Sequence, residues 1–151
     1  MVPVLIVGHG GFADGLRDAI EMILGGTQEG LAALALRPEE DPAELAGRVD
    51  AALTKLGVKG QDGAVVLADL FGASPANAAT SLLEGRPGLQ VVTGANLPMA
   101  LELLMLHDTA EAPELAGIAL ERGRDAIKDA GAVVREAYAR VQAEKQAGET
   151  G

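Results

Sequence analysis

Residues 2–11, VPVLIVGHGG, contain an apolar run that leads directly into a histidine between glycines. A second run of the same kind, AVVLADLFGASP at residues 64–75, leads into an aspartate. Apolar runs without polar alternation are typical of parallel strands that are buried on both faces of a sheet. We therefore interpret residues 3–8 and residues 64–68 as two central strands of an α/β domain.

Helical patterns separate these strands from further apolar runs. In residues 11–24, apolar side chains recur at the spacing of one helix face, and the glycine pair that follows predicts a left-handed end to that helix. Residues 131–136 are interpreted as a last strand or a continuation of helix, and residues 142–151 as a frayed tail. The other predicted elements are strands at residues 31–36 and 89–93 and helices at about residues 45–56, 75–84, 97–106 and 111–130.

Strands that alternate with helices predict right-handed crossovers and a doubly wound, mainly parallel sheet. For four strands we expect the order 2-1-3-4. This order places strands 1 and 3 side by side, so His9 and Asp69 should be neighbours although they are sixty residues apart. They would lie at the carboxyl edge of the sheet, where folds of this class bind ligands.

The composition narrows the class of protein and its partners. A chain of 151 residues fits one compact domain, which we place at residues 1–136, with residues 137–151 as an extension or tail. The formal charge of −10 would repel nucleic acids and anionic membrane surfaces. There is no cysteine, so disulfides and thiolate chemistry are excluded. The apolar start lacks a basic segment and is too short for a signal peptide or a membrane span, and we expect a cytoplasmic protein.

The expected pairing of His9 with Asp69 has a definite chemistry. One ring N–H of the histidine would donate to the carboxylate, which fixes the tautomer and leaves the other ring nitrogen as an unprotonated nucleophile. The backbone N–H groups of Gly10 and Gly11 and the hydroxyl of Ser74 would surround an anion beside it. The sequence thus predicts a phosphoryl group held on His9, without a metal or a cofactor.

Structural roles and other chemistries compete with this interpretation. Ser74 also fits the N-cap of a helix, so a capping role and a phosphate role both stay open. His107 follows an apolar helix, where a cation complements the helix dipole, and we assign it a structural role. A hydrolase nucleophile at Ser74 is disfavoured because Pro75 lacks the backbone N–H that an oxyanion hole needs. No glycine-rich nucleotide-binding pattern follows the first strand.

Three segments carry a resemblance to a known family. They are GHG at residues 8–10 with FA at 12–13 and EMILG at 21–25, then DLFGASPANAA at 69–79, then TGANLPM at 93–99. In this order they resemble the mannose-family enzyme IIA domains of the bacterial sugar phosphotransferase system, over about residues 2–130. Ala73 departs from the pattern because the family often has glycine there.

The resemblance implies that His9 accepts a phosphoryl group from the histidine-containing phosphocarrier protein and passes it to an enzyme IIB, expected as a separate chain. It also implies that Asp69 orients His9, that Ser74 contacts the phosphate, and that two copies form a homodimer by exchanging an antiparallel C-terminal edge strand near residues 131–136. The side chains expected to line the crevice or to contact a partner are Met22, Phe71, Asn96 and Met99.

A regulatory protein is the alternative with the same chemistry at His9. In that case phosphorylation would change what the protein binds, and no sugar would be transported. The sequence specifies no sugar, because enzyme IIA domains of this kind meet proteins rather than sugars.

Overall fold

The computed structural model describes residues 1–151 as an α/β domain around a four-stranded parallel sheet. The sheet has the order β2-β1-β3-β4, which confirms the predicted topology. Val4 of the first strand is aligned with Leu31 on one side and with Val65 on the other. The strands are β1 Val4–Gly8, β2 Leu31–Ala35, β3 Ala64–Ala68 and β4 Leu89–Thr93.

The two central strands, β1 and β3, are buried along their whole length, whereas the edge strands β2 and β4 are partly exposed. Successive side chains of β1 enter different cores, because side chains alternate between the two faces of a strand. Val4 and Ile6 belong to one apolar cluster, and Leu5 and Val7 belong to the other. The continuous apolar runs therefore correspond to strands covered on both faces, as predicted.

Helices cover both faces of the sheet. The cluster around Ile6 is built by α1, α4 and α5, and the cluster around Leu5 is built by α2 and α3. The glycine pair ends α1 as predicted, with Gly25 in the left-handed conformation at φ 87°. The helices are α1 Phe12–Leu24, α2 Pro42–Lys55, α3 Ser74–Thr80, α4 Leu97–Leu106, α5 Ala112–Asp125 and α6 Ala130–Thr150.

The start and the end of α3 differ from the prediction. Ala73 occupies the N-cap position in an extended conformation, and Ser74 is the first residue of the helix without a capping hydrogen bond. The helix ends at Thr80 rather than near residue 84, because the next backbone bonds shorten to the three-residue spacing of a tighter turn. The predicted capping role of Ser74 is therefore wrong.

The C-terminal region also differs from the prediction. The helix predicted at residues 111–130 ends at Asp125, and α6 begins after Asp129, whose carboxylate accepts a hydrogen bond from Ala132 N. Residues 131–136 lie in α6, so of the two interpretations of this segment the helical one is confirmed and the edge strand is wrong. The alanine, arginine, glutamate and glutamine residues of α6 favour a helix, and they outweigh the two neighbouring valines.

α6 runs to Thr150, so the end that was expected to be frayed is helical in the structure. Residue 136, the expected end of the domain, lies within this helix, and a division of the chain there stays a prediction. None of the side chains of α6 is buried, including the apolar ones of Val134, Tyr138 and Val141.

Candidate functional site

The sheet brings His9 and Asp69 together. His9 follows β1 and Asp69 follows β3, and these strands pair side by side with Val7 opposite Ala68. One carboxylate oxygen, Asp69 Oδ2, lies 2.7 Å from the ring atom Nδ1 of His9 and 2.7 Å from the backbone nitrogen of the same residue. The predicted pairing is therefore present, with two contacts from a single residue.

The charge state of Asp69 decides which ring nitrogen of His9 carries a proton. Burial raises the pKa of Asp69, but the backbone and ring N–H groups of His9 oppose this effect and hold the pKa below its usual value. An ionised carboxylate can only accept hydrogen bonds, so Nδ1 must be the donor. The neutral ring therefore has its lone pair on Nε2.

The two partners differ in their access to solvent. The side chain of His9 is 47% exposed and that of Asp69 only 13%. Nε2 lies on the side of the ring away from Asp69, whereas the other carboxylate oxygen, Oδ1, is buried without a hydrogen bond of normal geometry. The site thus offers a nucleophilic nitrogen to a large reactant while the carboxylate stays covered.

Gly8 allows this close approach. A Cβ atom at Gly8 would lie 2.8 Å from Cδ1 of Phe12 and 3.2 Å from Oδ2 of Asp69. Both distances are shorter than ordinary contacts, so a larger residue would displace the aromatic ring or the carboxylate. The phenylalanine ring and the carboxylate therefore occupy the space that glycine leaves at the end of β1.

The glycines after His9 expose backbone donors. Gly10 adopts a positive φ of 52°, which favours glycine, and Gly11 is at the N-cap position of α1. The N–H groups of Gly10 and Gly11 donate to no other group of the chain, and the first bond of this segment runs from Phe12 N to His9 O. These two donors, in the loop that carries His9, are free to bind an anion.

The loop that follows Asp69 carries two exposed apolar side chains, Leu70 at 59% and Phe71 at 84% exposure. Gly72 turns this loop with a positive φ of 77°. Asn77 Nδ2 donates a hydrogen bond of 3.1 Å to the carbonyl oxygen of Gly72. The sequence motif alone does not reveal this contact, because it does not show that Gly72 turns its carbonyl toward α3.

The other predicted site residues occupy different surroundings. Ser74 is exposed and Met22 is 85% exposed, so both are accessible at the surface. Asn96 caps α4 by accepting a hydrogen bond from Met99 N, and it donates to Gly123 O. Met99 is buried beside Gly123. Asn96 and Met99 line a cavity of about 260 Å³ at the end of β4, and their contact with a partner stays a prediction.

Three larger cavities, of about 450, 410 and 370 Å³, also lie away from His9. One of about 450 Å³ separates α2 from α3 and includes Ser74 and Asn77 in its lining. Another, of about 410 Å³, includes Arg86, whose guanidinium is already bonded to Asp50, Thr54 and the carbonyl of Val58. His9 lines none of the three, and its 47% exposed side chain lies on an open surface.

His107 and Glu40 have structural contacts. His107 is only 8% exposed at the C-terminal end of α4, and its carbonyl accepts a hydrogen bond from Val2 N. Glu40 lies in the turn before α2, and both of its carboxylate oxygens lie 2.8 Å from Nη1 of Arg48. The chain has no group of three or more acidic or histidine side chains arranged to hold a metal ion. None of its helices has the length and apolar character needed to cross a membrane.

The amino-acid sequence matches a known protein family. The family EIIA-man, described as the PTS system fructose IIA component, matches residues 3–119. The chain belongs to the EIIA-man family. The family is part of the sugar phosphotransferase system, abbreviated PTS, and the match includes His9, Asp69 and the whole sheet.

Relatives within the family include proteins named for different sugars. The chain is 34% identical over 128 residues to the PTS system mannose-specific EIIAB component of Escherichia coli, over 84% of this chain and 39% of that protein. It therefore spans less than half the length of this relative. It is also 32% identical over 108 residues to the PTS system fructose-specific EIIA component of Bacillus subtilis, covering 72% of each protein.

A solved structure shows the same fold. The mannose/sorbose specific IIA subunit of the phosphotransferase system from Enterococcus faecalis superimposes with a TM-score of 0.75 and 29% sequence identity. The superposition covers 85% of this chain and 94% of that structure. It supports the assignment of the chain to the EIIA-man family and its α/β fold.

Proposed function

We propose that this EIIA-man protein is a phosphocarrier that accepts a phosphoryl group on Nε2 of His9 and passes it to another protein. The observation that carries the proposal is the hydrogen bond of 2.7 Å between Nδ1 of His9 and the carboxylate of Asp69. This contact makes Nε2 the nucleophile and leaves it on the exposed side of the ring.

The transfer requires no group beyond the two proteins. The lone pair of Nε2 forms a bond to phosphorus while the bond between phosphorus and the donor's histidine breaks, and that electron pair returns to the donor nitrogen. The ring of His9 becomes positively charged, and the Nδ1 proton stays hydrogen-bonded to Asp69. The negative carboxylate stabilises this charge, as acidic partners of catalytic histidines do. The same steps in reverse deliver the phosphoryl group to an acceptor.

Three donors are available to the phosphoryl oxygens in this proposal. They are the backbone N–H groups of Gly10 and Gly11 and the hydroxyl of Ser74, which makes no hydrogen bond within the chain. Hydrogen bonds from backbone N–H groups to anions are stronger than bonds between neutral groups. No lysine or arginine occurs at residues 8–11 or 69–75, so the group would be held without a fixed countercharge and released easily.

Exposed apolar side chains around His9 support docking of a protein rather than binding of a small molecule. Leu70 and Phe71, in the loop that follows Asp69, are 59% and 84% exposed, and exposed apolar side chains of this kind mark protein contacts. The proposed donor is the histidine-containing phosphocarrier protein, the proposed acceptor is an enzyme IIB, and the proposed compartment is the cytoplasm. The homodimer also stays a proposal, without the exchanged strand.

The proposal is tested by phosphorylation in vitro. The protein is incubated with phosphoenolpyruvate, enzyme I and the histidine-containing phosphocarrier protein, and the acid-labile mass increase of one phosphoryl group is measured. We expect labelling of the wild type and of His107→Gln, and no labelling of His9→Ala. Labelling of His9→Ala, or an unlabelled wild type, would contradict the proposal. Addition of an enzyme IIB then separates a transport carrier, which loses the label, from a regulator, which keeps it.

A further inference from the structure

Residues 70–73 form an exposed loop between the His9–Asp69 pair and α3. Its backbone is weakly restrained, because its internal hydrogen bond, from Ala73 N to Leu70 O, is long at 3.4 Å. The bond from Asn77 Nδ2 to Gly72 O, at 3.1 Å, is the side-chain hydrogen bond that holds the turn of this loop. The amide of Asn77 therefore connects the turn at Gly72 to the first turn of α3.

The hydrogen bond from Asn77 fixes the orientation of the whole peptide group between Gly72 and Ala73. A peptide unit is planar, so its carbonyl oxygen and its N–H point in opposite directions. The contact that turns the Gly72 carbonyl toward α3 therefore turns the Ala73 N–H back toward Leu70, as the Ala73–Leu70 bond requires. Gly72 has the backbone freedom to leave this orientation, since glycine populates both signs of φ readily. Without the amide, Gly72 would be free to adopt other backbone conformations.

The same loop presents the groups that the proposed function uses. Leu70 and Phe71 form part of the exposed apolar surface beside His9, and Ser74 follows the loop directly. A loop with several conformations would present these groups in the docking arrangement for only part of the time. The apparent affinity for a partner falls in proportion to that fraction.

We propose that Asn77 is a positioning residue that holds residues 70–73 in the conformation that docks the phosphoryl donor. The inference rests on the proposed phosphocarrier function. Asn77 does not touch the reacting atoms, and it acts through the carbonyl of Gly72. Asparagine suits this role because its side chain is short enough to reach back from the first turn of α3 and carries an N–H donor.

The experiment compares Asn77→Ala and Asn77→Asp with a matched control, Ser81→Ala. Ser81 also makes one hydrogen bond to a backbone carbonyl, that of Ala78, but it does not contact the loop. Initial rates of His9 phosphorylation are measured at varied concentrations of the phosphorylated donor protein. Thermal unfolding and backbone ¹⁵N relaxation of residues 70–73 are measured on the same samples.

We expect the KM for the donor to rise roughly three- to tenfold in both Asn77 variants, the range for the loss of one neutral hydrogen bond, with kcat within about twofold. Asn77→Asp should be affected at least as strongly as Asn77→Ala, because a carboxylate would face the Gly72 carbonyl. Amides of residues 70–73 should become mobile on the nanosecond timescale in these variants only. Ser81→Ala should match the wild type.

An unchanged KM, or a loop as rigid as in the wild type, would overturn the inference. An equal loss in Ser81→Ala would also overturn it, since the effect would then come from the stability of α3. If the wild type itself takes no phosphoryl group, the proposed function fails. The relaxation data then still decide whether Asn77 orders the loop.

Discussion

The two central strands and the last helix differ in how far their side chains are buried. Residues of β1 and β3 are buried on all sides, and the strands deliver His9 and Asp69 to within 2.7 Å of each other. α6 is the longest helix, and it buries no side chain. The packing of β1 and β3 therefore specifies the position of the site, whereas α6 depends on local helix propensity and on the cap at Asp129.

The largest expected effect comes from a substitution that creates a cavity in the core between the sheet and α1, α4 and α5. Leu67 in β3 is fully buried, and Leu67→Ala should lower the free energy of unfolding by about 2–5 kcal/mol. Denaturant unfolding followed by circular dichroism measures this change. Val141→Ala in α6 removes apolar atoms of similar kind from an exposed position and should change the free energy by less than about 0.5 kcal/mol. Equal effects of the two substitutions would contradict the statement that packing stabilises the central strands but not α6.

A smaller effect is expected where β1 meets the site. Gly8→Ala places a methyl group against Phe12 and the carboxylate of Asp69, and such overpacking costs about 1–3 kcal/mol. Displacement of the carboxylate should also slow phosphorylation of His9 in the same assay. Gly15→Ala is the control, because a Cβ there meets no atom within 4 Å. It should leave the rate unchanged and stabilise α1 slightly. A Gly8→Ala protein with wild-type rate and stability would show that the close approach is unimportant.

The contribution of Asp69 to stability should depend on pH. Its pKa is lowered from 3.8 in the folded protein, so the ionised form is stabilised by folding. This contribution is present above the unfolded value and is lost as the pH falls through the lower folded value. The difference in unfolding free energy between the wild type and Asp69→Asn should therefore be constant near neutral pH and shrink in acid. A difference that grows as the pH falls would mean that the pKa of Asp69 is raised.

The smallest effect is expected on the exposed face of α6. Tyr138→Ser should change the midpoint of thermal unfolding by no more than a few degrees, because the side chain is 69% exposed and contacts no core residue. Phosphorylation of His9 should be unaffected. A large destabilisation would show that a partner covers α6 in solution, and sedimentation of the wild type at several concentrations would reveal whether that partner is a second copy.

The fold and the central pair could be predicted because both follow from local patterns. The apolar runs of β3 and β4 and the apolar stretch of α4 have the bounds that the structure confirms. The sheet order then places His9 beside Asp69 without any knowledge of side-chain conformation. Pattern and topology were therefore sufficient for the two residues that matter most to the chemistry.

The rest depended on conformations that a pattern does not encode. The role of Asn77 requires the positive φ of Gly72, and the N-cap at Ala73 requires its extended backbone. The contact of Glu40 with Arg48 joins a turn to the middle of α2. In α6, two adjacent valines suggested a strand, but the cap and the helix-forming residues beyond them decide the conformation.

The position of the phosphoryl group on the ring of His9 tests the central claim most directly. Phosphorylated protein labelled with ¹⁵N is examined by long-range ¹H–¹⁵N correlation, which distinguishes the two ring nitrogens. We expect the phosphoryl group on Nε2 and a proton on Nδ1, held by the contact of 2.7 Å with Asp69. A phosphoryl group on Nδ1, or none on His9, would contradict the account.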